Sequence, residues 1–245
     1  MKDKKNGVDI IIPIYNEELE LAQSIDTLWE FLNSNLSGSW TITIVDNAST
    51  DQSFAIAQKL ERKLKNIRTM HLTQKGRGRA VKIAWKKSEH PVLAYMDVDL
   101  STDLAAFPKL VKVLQENKAD IAIASRLLPK SQVVNRSFAR EIISRLYNVL
   151  LKTILRVRYS DAQCGCKAIT RDAFKKLLPH VVNNEWFFDT ELLTIAEKAG
   201  FRIFEQPVVW KDNPGSTVRV LPTMMEDLRG VVRLLVSQPW RKVTA

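Results

Sequence analysis

Two aspartates separated by one residue, Asp97 and Asp99, are the sharpest chemical feature of the sequence. They follow the apolar run Val92–Met96, which is typical of a buried strand. Two neighbouring carboxylates repel each other unless a proton or a cation joins them. A hard divalent cation such as Mg²⁺ or Mn²⁺, shared with substrate phosphates, removes that repulsion. Such a pair also occurs as two solvated loop acids, but its place at a strand end favours a metal site.

The segment 75–79, Lys-Gly-Arg-Gly-Arg, is a candidate phosphate-binding loop. Its glycines, Gly76 and Gly78, let the backbone approach a phosphate closely in front of a helix N-terminus. The segment lacks the Gly-Lys-Ser/Thr ending of a Walker A loop and the spacing of a dinucleotide-binding fingerprint. It therefore predicts a phosphate loop of another kind.

The elements that must position these groups alternate between strand and helix over the first half of the chain. Apolar runs rich in β-branched residues indicate the strands, and capping residues such as Asn16 and Ser49 open the helices. Strands are predicted at 8–14, 40–46, 68–72, 91–96 and 120–124, and helices at about 17–33, 51–65, 79–88 and 108–117. This alternation predicts an α/β fold with a mainly parallel sheet flanked by helices.

Polar residues collect where each of the first four strands ends. In an open parallel sheet these ends share one edge, and ligands bind there. One Asn or Asp in such a place usually only caps the next helix, but four clusters on one edge favour a binding site. The clusters are Pro13, Tyr15, Asn16 and Glu17; Asp46, Asn47, Ser49 and Asp51; the segment 75–79; and Asp97 with Asp99.

The second half of the chain is less regular. A long helix is predicted at 135–158, a loop at 160–165, a strand at 167–170, a helix at 190–199 and a strand at 201–210. Thr223 and Glu226 have the spacing of a capping box for a last helix. Repeats, low-complexity tracts and Gly-, Ser- or Pro-rich linkers are absent from the sequence, so residues 1–245 are expected to form a single domain.

The composition excludes several classes of protein. Hydrophobic residues make up 45% and charged residues 26% of the 245 residues, a globular balance that excludes disordered, collagen-like and disulfide-scaffold chains. The 37 Lys and Arg against 27 Asp and Glu give a net charge of +10. This charge favours an anionic partner, which is nucleic acid, a phosphorylated substrate or a membrane surface.

The sequence also indicates where in the cell the protein is located. No apolar run approaches the roughly 18 residues of a transmembrane helix, and the charged N-terminus does not read as a signal peptide. We therefore expect a cytoplasmic protein, peripheral on the cytoplasmic face of a membrane. Cys164 and Cys166 are the only cysteines and the three histidines are scattered, so neither type predicts a metal site.

The polar clusters occur in the order of a known motif set. The motifs are Pro13-x-Tyr15-Asn16-Glu17, the segment 45–51, Gly76-Arg77-Gly78-x-Ala80-Val81, Asp97-x-Asp99, Ser125-Arg126, and the segments 161–167, 186–193 and 214–216. The first four resemble family 2 glycosyltransferases with the Rossmann-like GT-A fold. The later ones resemble the dolichyl- or polyprenyl-phosphate sugar synthases, especially the dolichyl-phosphate glucosyltransferase-like branch. The sequence departs from that pattern at Asn47, where a second Asp is frequent, and at Cys166, which replaces a frequent aromatic residue.

The resemblance implies inverting transfer of a hexose from a nucleotide-diphosphate sugar, UDP-glucose or a related donor, to a polyprenyl or dolichyl phosphate. Residues 8–130 would then bind the nucleotide sugar and residues 131–245 the acceptor. Asp97 and Asp99 would hold Mg²⁺ or Mn²⁺, with Ser101 as a weaker ligand. The implied nucleotide-sugar site consists of Pro13, Tyr15, Asn16, Glu17, Asp46, Asp51, Gly76, Arg79 and Asp97.

The implied acceptor decides what catalysis needs. A phosphate monoester, with a second pKa of about 6, is already ionised near neutral pH and can attack directly, whereas a sugar hydroxyl needs a general base. The resemblance makes Asp161 the first candidate for a base or orienting residue and Glu191 the second, and Arg126 would stabilise phosphate charge. The candidates for binding the acceptor phosphate are Arg140, Lys167, Ser216 and Arg219.

Two helices are candidates for membrane contact. On a helical wheel over 138–156, a basic face of Arg145, Lys152 and Arg156 adjoins an apolar sector, which suits an anionic membrane surface. The alternative is a core helix with a solvated basic face. The apolar sector contains Ile142, Leu146, Val149 and Leu150, and the last helix offers Arg229, Val231, Arg233, Leu234 and Leu235.

Three functions stay open from the sequence. The leading one is a metal-dependent polyprenyl-phosphate hexose synthase, peripheral on a membrane and with a possible membrane partner protein. The second is a soluble glycosyltransferase with a saccharide or small-molecule hydroxyl acceptor. The third is a non-catalytic anion- or nucleic-acid-binding protein, which the Asp97 and Asp99 pair disfavours because a nucleic-acid groove needs cations. We therefore expect no nucleic-acid partner.

Overall fold

The computed structural model describes residues 7–135, 138–211 and 220–243. Within these ranges the chain forms nine strands and eight α-helices. The strands are β1 (Val8–Ile14), β2 (Trp40–Asn47), β3 (Ile67–Leu72), β4 (Val92–Met96), β5 (Ile121–Ser125), β6 (Gln132–Val134), β7 (Cys166–Thr170), β8 (Ile203–Pro207) and β9 (Val209–Lys211). The helices are α1 (Leu21–Asn35), α2 (Ser53–Lys63), α3 (Arg77–Lys87), α4 (Phe107–Gln115), α5 (Phe138–Ile154), α6 (Arg171–Leu177), α7 (Phe188–Lys198) and α8 (Val220–Ser237).

Seven of these strands form one sheet in the order β3-β2-β1-β4-β7-β5-β8. β7 is antiparallel to both neighbours, and the other pairs are parallel. β6 and β9 pair separately. The chain order reverses at β1, whose neighbours are β2 and β4. The carboxyl ends of β1 and β4 therefore flank the switch point at which open α/β sheets bind ligands.

Helices cover both faces of the sheet, and β1, β4 and β5 are therefore nearly continuous apolar runs. Ile10, Ile11 and Ile12 of β1 are completely buried. Ile10 and Ile12 belong to the core formed with α1, α2 and α4, whereas Ile11 belongs to the core formed with α3 and α7. This packing confirms the predicted α/β architecture. The division near residue 130 into two functional halves stays a prediction.

The structure corrects several predicted boundaries. α1 begins at Leu21 rather than at residue 17, because Asn16, with φ of 56°, does not cap a helix. The predicted strand 201–210 is two strands, since Pro207 has no N–H to continue the ladder. The Thr223 capping box is wrong because α8 already begins at Val220. α5 ends at Ile154, four residues early, and β6 and α6 are additional to the prediction.

Candidate active site

The loops that follow β1 and β2 are joined into one edge of the site. The backbone N–H of Asn16 donates to Ser49 Oγ at 3.0 Å, and Asn16 Oδ1 accepts the backbone N–H of Thr50 at 2.8 Å. The N–H of Glu17 donates to Ser53 Oγ at 2.7 Å. Side chains that were expected to cap helices thus hold the two loops against each other.

Asp46 is fixed at the carboxyl end of β2. Its carboxylate is completely buried, and Oδ2 lies 2.6 Å from Nδ1 of His71, the residue opposite it on β3. Asp46 Oδ1 accepts the N–H of Ser49 at 3.3 Å, and the His71 ring lies 4.8 Å from that of Phe54. The sequence assigned no role to His71, and its register opposite Asp46 was the signal that could have identified it.

The glycine-rich loop packs against the segment in front of α7. Gly76 has φ of 143°, and a Cβ there would lie 2.6 Å from the carbonyl oxygen of Asn184, so only glycine fits. The N–H of Arg79 donates to the same carbonyl at 2.9 Å. The ammonium of Lys75 lies 3.9 Å from the ring centroid of Tyr15 and bonds its hydroxyl. Tyr15 and Lys75 therefore form one rim of the site.

Asp97 and Asp99 follow β4 at the switch point. The Asp97 side chain is 42% exposed, and a Cβ on Gly165 would lie 1.6 Å from its Oδ2, so this carboxylate rests against bare backbone. Asp99 Oδ1 accepts the N–H of Ser101 at 3.0 Å and Oδ2 its hydroxyl at 2.7 Å. Burial raises the pKa of Asp99, against the opposing effect of the Ser101 hydrogen bonds.

The carboxylates at this edge repel one another. Burial, followed by the charges of Glu20, Asp99, Asp51 and Asp97, raises the pKa of Glu17 to about 7. A cation bound here would relieve that repulsion, so the residues present fit a divalent ion. Within the described ranges no three His, Cys, Asp or Glu side chains converge as metal ligands. Asp97 and Asp99 could thus supply two ligands and substrate phosphates the others, as is common for Mg²⁺.

Arg77, which the sequence placed in the candidate phosphate loop, joins Asp97 to α7. Its Nη2 donates to Asp97 Oδ1 at 2.6 Å and its Nη1 to Asp189 Oδ2 at 2.5 Å. Burial by itself would lower the pKa of Arg77, but the two carboxylates raise this pKa well above the ordinary value. Asp189 also bonds the Tyr95 hydroxyl. Their positions could not be read from spacing, because Arg77 and Asp189 lie 112 residues apart.

Lys167 requires a correction. It was expected to bind the acceptor phosphate, but only 1% of it is exposed. Its ammonium donates to Tyr95 Oη at 2.9 Å and to the Cys164 carbonyl at 2.5 Å, and lies 3.2 Å from Asp189 Oδ1. Two hydrogen bonds, the ion pair with Asp189 and complete burial keep this ammonium away from a phosphate.

Asp161, in the loop before β7, and Arg126, directly after β5, form a buried pair. Asp161 Oδ2 accepts the backbone N–H of Arg126 at 3.0 Å and its Nε–H at 2.7 Å, and Oδ1 accepts Nη2–H at 2.9 Å. Burial alone would raise the pKa of Asp161, but Arg126 lowers it to about 2. Asp161 is therefore ionised near neutral pH, and its proton affinity is too low for an efficient base.

Glu191, the second candidate base, is also completely buried. Its Oε2 accepts the N–H of Asn183 at 2.6 Å, and its Oε1 accepts an N–H of Arg233 at 2.6 Å. These bonds tie α7 to α8 and to the segment before α7. Both carboxylate oxygens thus have structural partners.

An open cleft of about 630 Å³ begins at Arg126. Leu127, Leu128, Pro129 and Val133 give it an apolar wall, and Arg145 and Glu141, paired at 2.6 Å, stand on the side of α5. The cleft therefore combines a buried cation with an apolar surface, which suits an amphiphile that has an anionic head. Ser216, Arg219 and the side chain of Arg140, the other candidates for the acceptor phosphate, lie outside the described residues.

α5 and α8 expose apolar side chains. On α5 the exposed residues are Ile142, Ile143, Leu146, Val149 and Ile154, and on α8 they are Met224, Met225, Leu228, Val232, Leu235 and Val236. Arg145, Lys152 and Arg229 are exposed on the same helices. Val231 and Leu234, expected on the outer face, are buried in the core instead. Across the described ranges, none of the helices has the length and apolar content to cross a membrane.

Residues 9–178 match the family model described as glycosyl transferase family 2. The chain belongs to that family. This family 2 glycosyltransferase is similar to the glycosyltransferase AglD of Haloferax volcanii, with 32% identity over 96% of this chain but only 37% of AglD. It is 28% identical to the dolichyl-phosphate beta-glucosyltransferase of Dictyostelium discoideum, over 95% of this chain and 76% of that protein.

Solved structures show that the family 2 glycosyltransferase has the GT-A fold. Glucosyl-3-phosphoglycerate synthase of Mycobacterium tuberculosis, crystallised with Mn²⁺, UDP-glucose and phosphoglyceric acid, matches with a TM-score of 0.69 and 15% identity, over 98% of this chain and 81% of that one. TarS of Staphylococcus aureus matches with a TM-score of 0.59 and 19% identity, over 93% and 64%. The resemblance to the GT-A glycosyltransferases is thus confirmed.

The structure brings most of the predicted nucleotide residues of the glycosyltransferase to one edge. Asn16, Glu17 and Asp51 are linked through the β1 and β2 loops, where Asp51 Oδ2 accepts the N–H of Glu18 at 3.2 Å. Pro13 lies within β1 opposite Val45 of β2, just before that edge. The guanidinium of Arg79 bonds the Lys75 carbonyl at the rim.

Proposed function

We propose that this glycosyltransferase moves glucose from UDP-glucose to dolichyl or polyprenyl phosphate, with inversion at the anomeric carbon. The observation that carries the proposal is the cleft at Arg126, where a buried guanidinium meets the apolar side chains of Leu127 and Leu128. Burial would lower the pKa of Arg126, but Asp161 raises it, and Asp97 adds a smaller effect in the same direction. The dolichyl-phosphate beta-glucosyltransferases among its relatives support transfer of a glucosyl group to dolichyl phosphate.

The nucleotide-sugar donor would bind at the edge of the sheet where the carboxylates of Asp97 and Asp99 lie. Asp97 and Asp99 would hold Mg²⁺ or Mn²⁺, with Ser101 hydrogen-bonded to Asp99. The ion would neutralise the charge that develops on the departing nucleoside diphosphate. Mn²⁺ together with UDP-glucose in a protein of the same fold supports this assignment.

The nucleoside would bind along the β1, β2 and β3 ends. We assign the base to Asp46 with Tyr15, and the ribose to Asn16, Glu17 and Asp51. An Asp46 carboxylate held by His71 is an acceptor only, so it suits a base with an imide N–H, such as uracil. Pro13, Gly76 and Arg79 would shape the backbone around the nucleotide.

The acceptor needs orientation rather than deprotonation. A phosphate monoester is dianionic at neutral pH and can attack the anomeric carbon itself. Asp161 takes the Nε and Nη2 donors of Arg126, which fixes the plane of the guanidinium and leaves Nη1 for the acceptor. Arg126 would thus bind the acceptor phosphate, with Asp161 as its orienting residue and Glu191 as a structural anchor of α7 and α8.

The lipid would reach the cleft from a membrane. The exposed apolar residues of α5 and α8 could enter the interface while Arg145, Lys152 and Arg229 meet anionic headgroups. This peripheral docking, on the cytoplasmic face, needs no partner protein. It is expected to weaken as salt rises, because headgroup attraction is screened.

A transfer assay tests the proposal. Radiolabelled UDP-glucose, UDP-N-acetylglucosamine and GDP-mannose are each incubated with the protein, Mn²⁺ and a short polyprenyl phosphate, and the lipids are extracted. We expect label in the lipid phase from UDP-glucose. Asp99→Asn should abolish it, whereas Asp172→Asn, on the first turn of α6, serves as the matched control. Label that stays in water-soluble products would instead indicate a soluble acceptor.

A further inference from the structure

The side chain of Arg77 is held by two carboxylates and flanked by two aromatic rings. It bonds Asp97 and Asp189, and its Cζ lies 4.9 Å from the ring centroid of Tyr95 and 5.1 Å from that of Trp186. Only 8% of Arg77 is exposed. A guanidinium with these contacts has one orientation, because every rotation would break a charged hydrogen bond in a buried site.

The groups around the other oxygen of Asp189, Oδ1, are also held in place. Asp189 Oδ1 accepts the Tyr95 hydroxyl and lies 3.2 Å from the Lys167 ammonium, which itself donates to the Cys164 carbonyl. The two cations, Arg77 and Lys167, balance the charges of Asp189 and Asp97. The members come from α3, β4, β7 and α7, so the network is built on four elements of the core.

Of the four charged residues in this network, Asp97 is the one that reaches the solvent side of the site. Arg77 occupies its Oδ1, and its Oδ2 lies against Gly165, where no side chain could fit. We propose that Arg77 is a positioning residue that holds the Asp97 carboxylate in the orientation in which it binds the divalent cation. The inference rests on the proposed function, in which Asp97 is a metal ligand.

A direct role of Arg77 is the competing explanation. A guanidinium beside the cation site could instead bind the diphosphate itself. A positioning residue acts only through the metal, whereas a phosphate-binding residue acts with and without it. Nucleotide affinity measured in Mn²⁺ and in EDTA therefore separates the two roles.

Calorimetric titration with UDP provides the test, using wild type, Arg77→Met and Arg77→Lys. In Mn²⁺ we expect Arg77→Met to weaken UDP binding about 10- to 100-fold, as loss of an outer-shell partner does in metal sites. In EDTA the affinities of both proteins should agree within about twofold, since no metal is left to position. Arg77→Lys should restore part of the loss, because an ammonium can still reach one carboxylate. Free Mn²⁺ followed by electron paramagnetic resonance gives the metal affinity directly.

Arg202→Met is the matched control, because Arg202 pairs with Asp120 at 2.9 Å at the opposite end of the strands. If Arg77→Met keeps the full response to Mn²⁺, or loses affinity equally in EDTA, the inference is overturned. Wild-type protein whose UDP affinity ignores Mn²⁺ would overturn the metal site of the proposed function, and this inference with it. Thermal unfolding of each variant confirms that the titrated protein is folded.

Discussion

Arg126 donates three hydrogen bonds to Asp161, one from its backbone and two from its guanidinium, at 2.7 to 3.0 Å. The pair joins the end of β5 to the loop before β7, next to the cleft. A carboxylate that accepts three hydrogen bonds from one arginine is a poor proton acceptor, but it fixes the orientation of that arginine. Its contribution to catalysis should therefore be geometric.

Asp161→Asn tests this role. The amide keeps the shape of the carboxylate but cannot accept from Nε and Nη2 with the same strength, so Arg126 should lose its fixed plane. We expect kcat for lipid transfer to fall about 100-fold, the size of effect seen when an oriented donor is lost, with the KM for UDP-glucose little changed. Steady-state kinetics over pH 6 to 8 measure both constants. A loss that reverses at high pH would instead indicate that Asp161 is a general base.

His71→Gln tests the support of Asp46. Without the imidazole, the buried Asp46 carboxylate loses its 2.6 Å partner and its preferred orientation. We expect UDP binding to weaken about tenfold, or about 1.4 kcal/mol, as measured by calorimetry. The effect should be equal in Mn²⁺ and in EDTA, because the role proposed for Asp46 is at the base and not at the diphosphate. A loss confined to Mn²⁺ would contradict this assignment.

Asp227 makes stability depend on pH. Burial, against a hydrogen bond from Tyr147, raises the pKa of Asp227 to about 7, whereas an unfolded Asp has a pKa of about 3.9. Between these values the folded protein binds the extra proton, so stability falls as pH rises through this window and levels off above it. We expect the Tm of wild type to fall from pH 5 to pH 8. Asp227→Asn should show a smaller fall, and an equal fall in both proteins would contradict the assignment.

The membrane surface can be tested without touching the site. Leu146→Glu with Val232→Glu places two carboxylates on the exposed faces of α5 and α8, so we expect binding to phosphatidylglycerol vesicles in a sedimentation assay to be lost. Lys59→Glu, exposed on α2 on the other face of the sheet, changes the net charge by the same amount and is the control. Equal loss in the control would mean that net charge alone drives binding.

The parts of the fold that were predicted are those that local pattern determines. The apolar run of β1 and the acids after β4 can be read from neighbouring residues. The antiparallel direction of β7 cannot, because Cys166–Thr170 has the same apolar pattern in either direction. The break after Pro207 was visible in the sequence, since proline interrupts a ladder.

In the candidate site, too, only the residues that a local sequence pattern identifies could be predicted. Asp97 and Asp99 could be found because they lie one residue apart directly after a strand, and Asp46 because it lies at the end of one. Arg77 and Asp189 are joined only by the packing of α3 against α7, which no local pattern encodes. Lys167 shows the converse: a lysine in a functional motif suggested a surface cation, whereas burial beside Asp189 gives it a structural partner.

The anomeric configuration of the lipid product shows directly whether glucose is transferred to the lipid phosphate with inversion. UDP-glucose carries an α-linked sugar, so a single displacement by the acceptor phosphate gives a β-glucosyl phosphate. Proton NMR of the purified product reports this through the coupling between H1 and H2. The account predicts the large axial–axial coupling of a β-linked glucosyl polyprenyl phosphate. A small coupling, from an α-linked product, would contradict it.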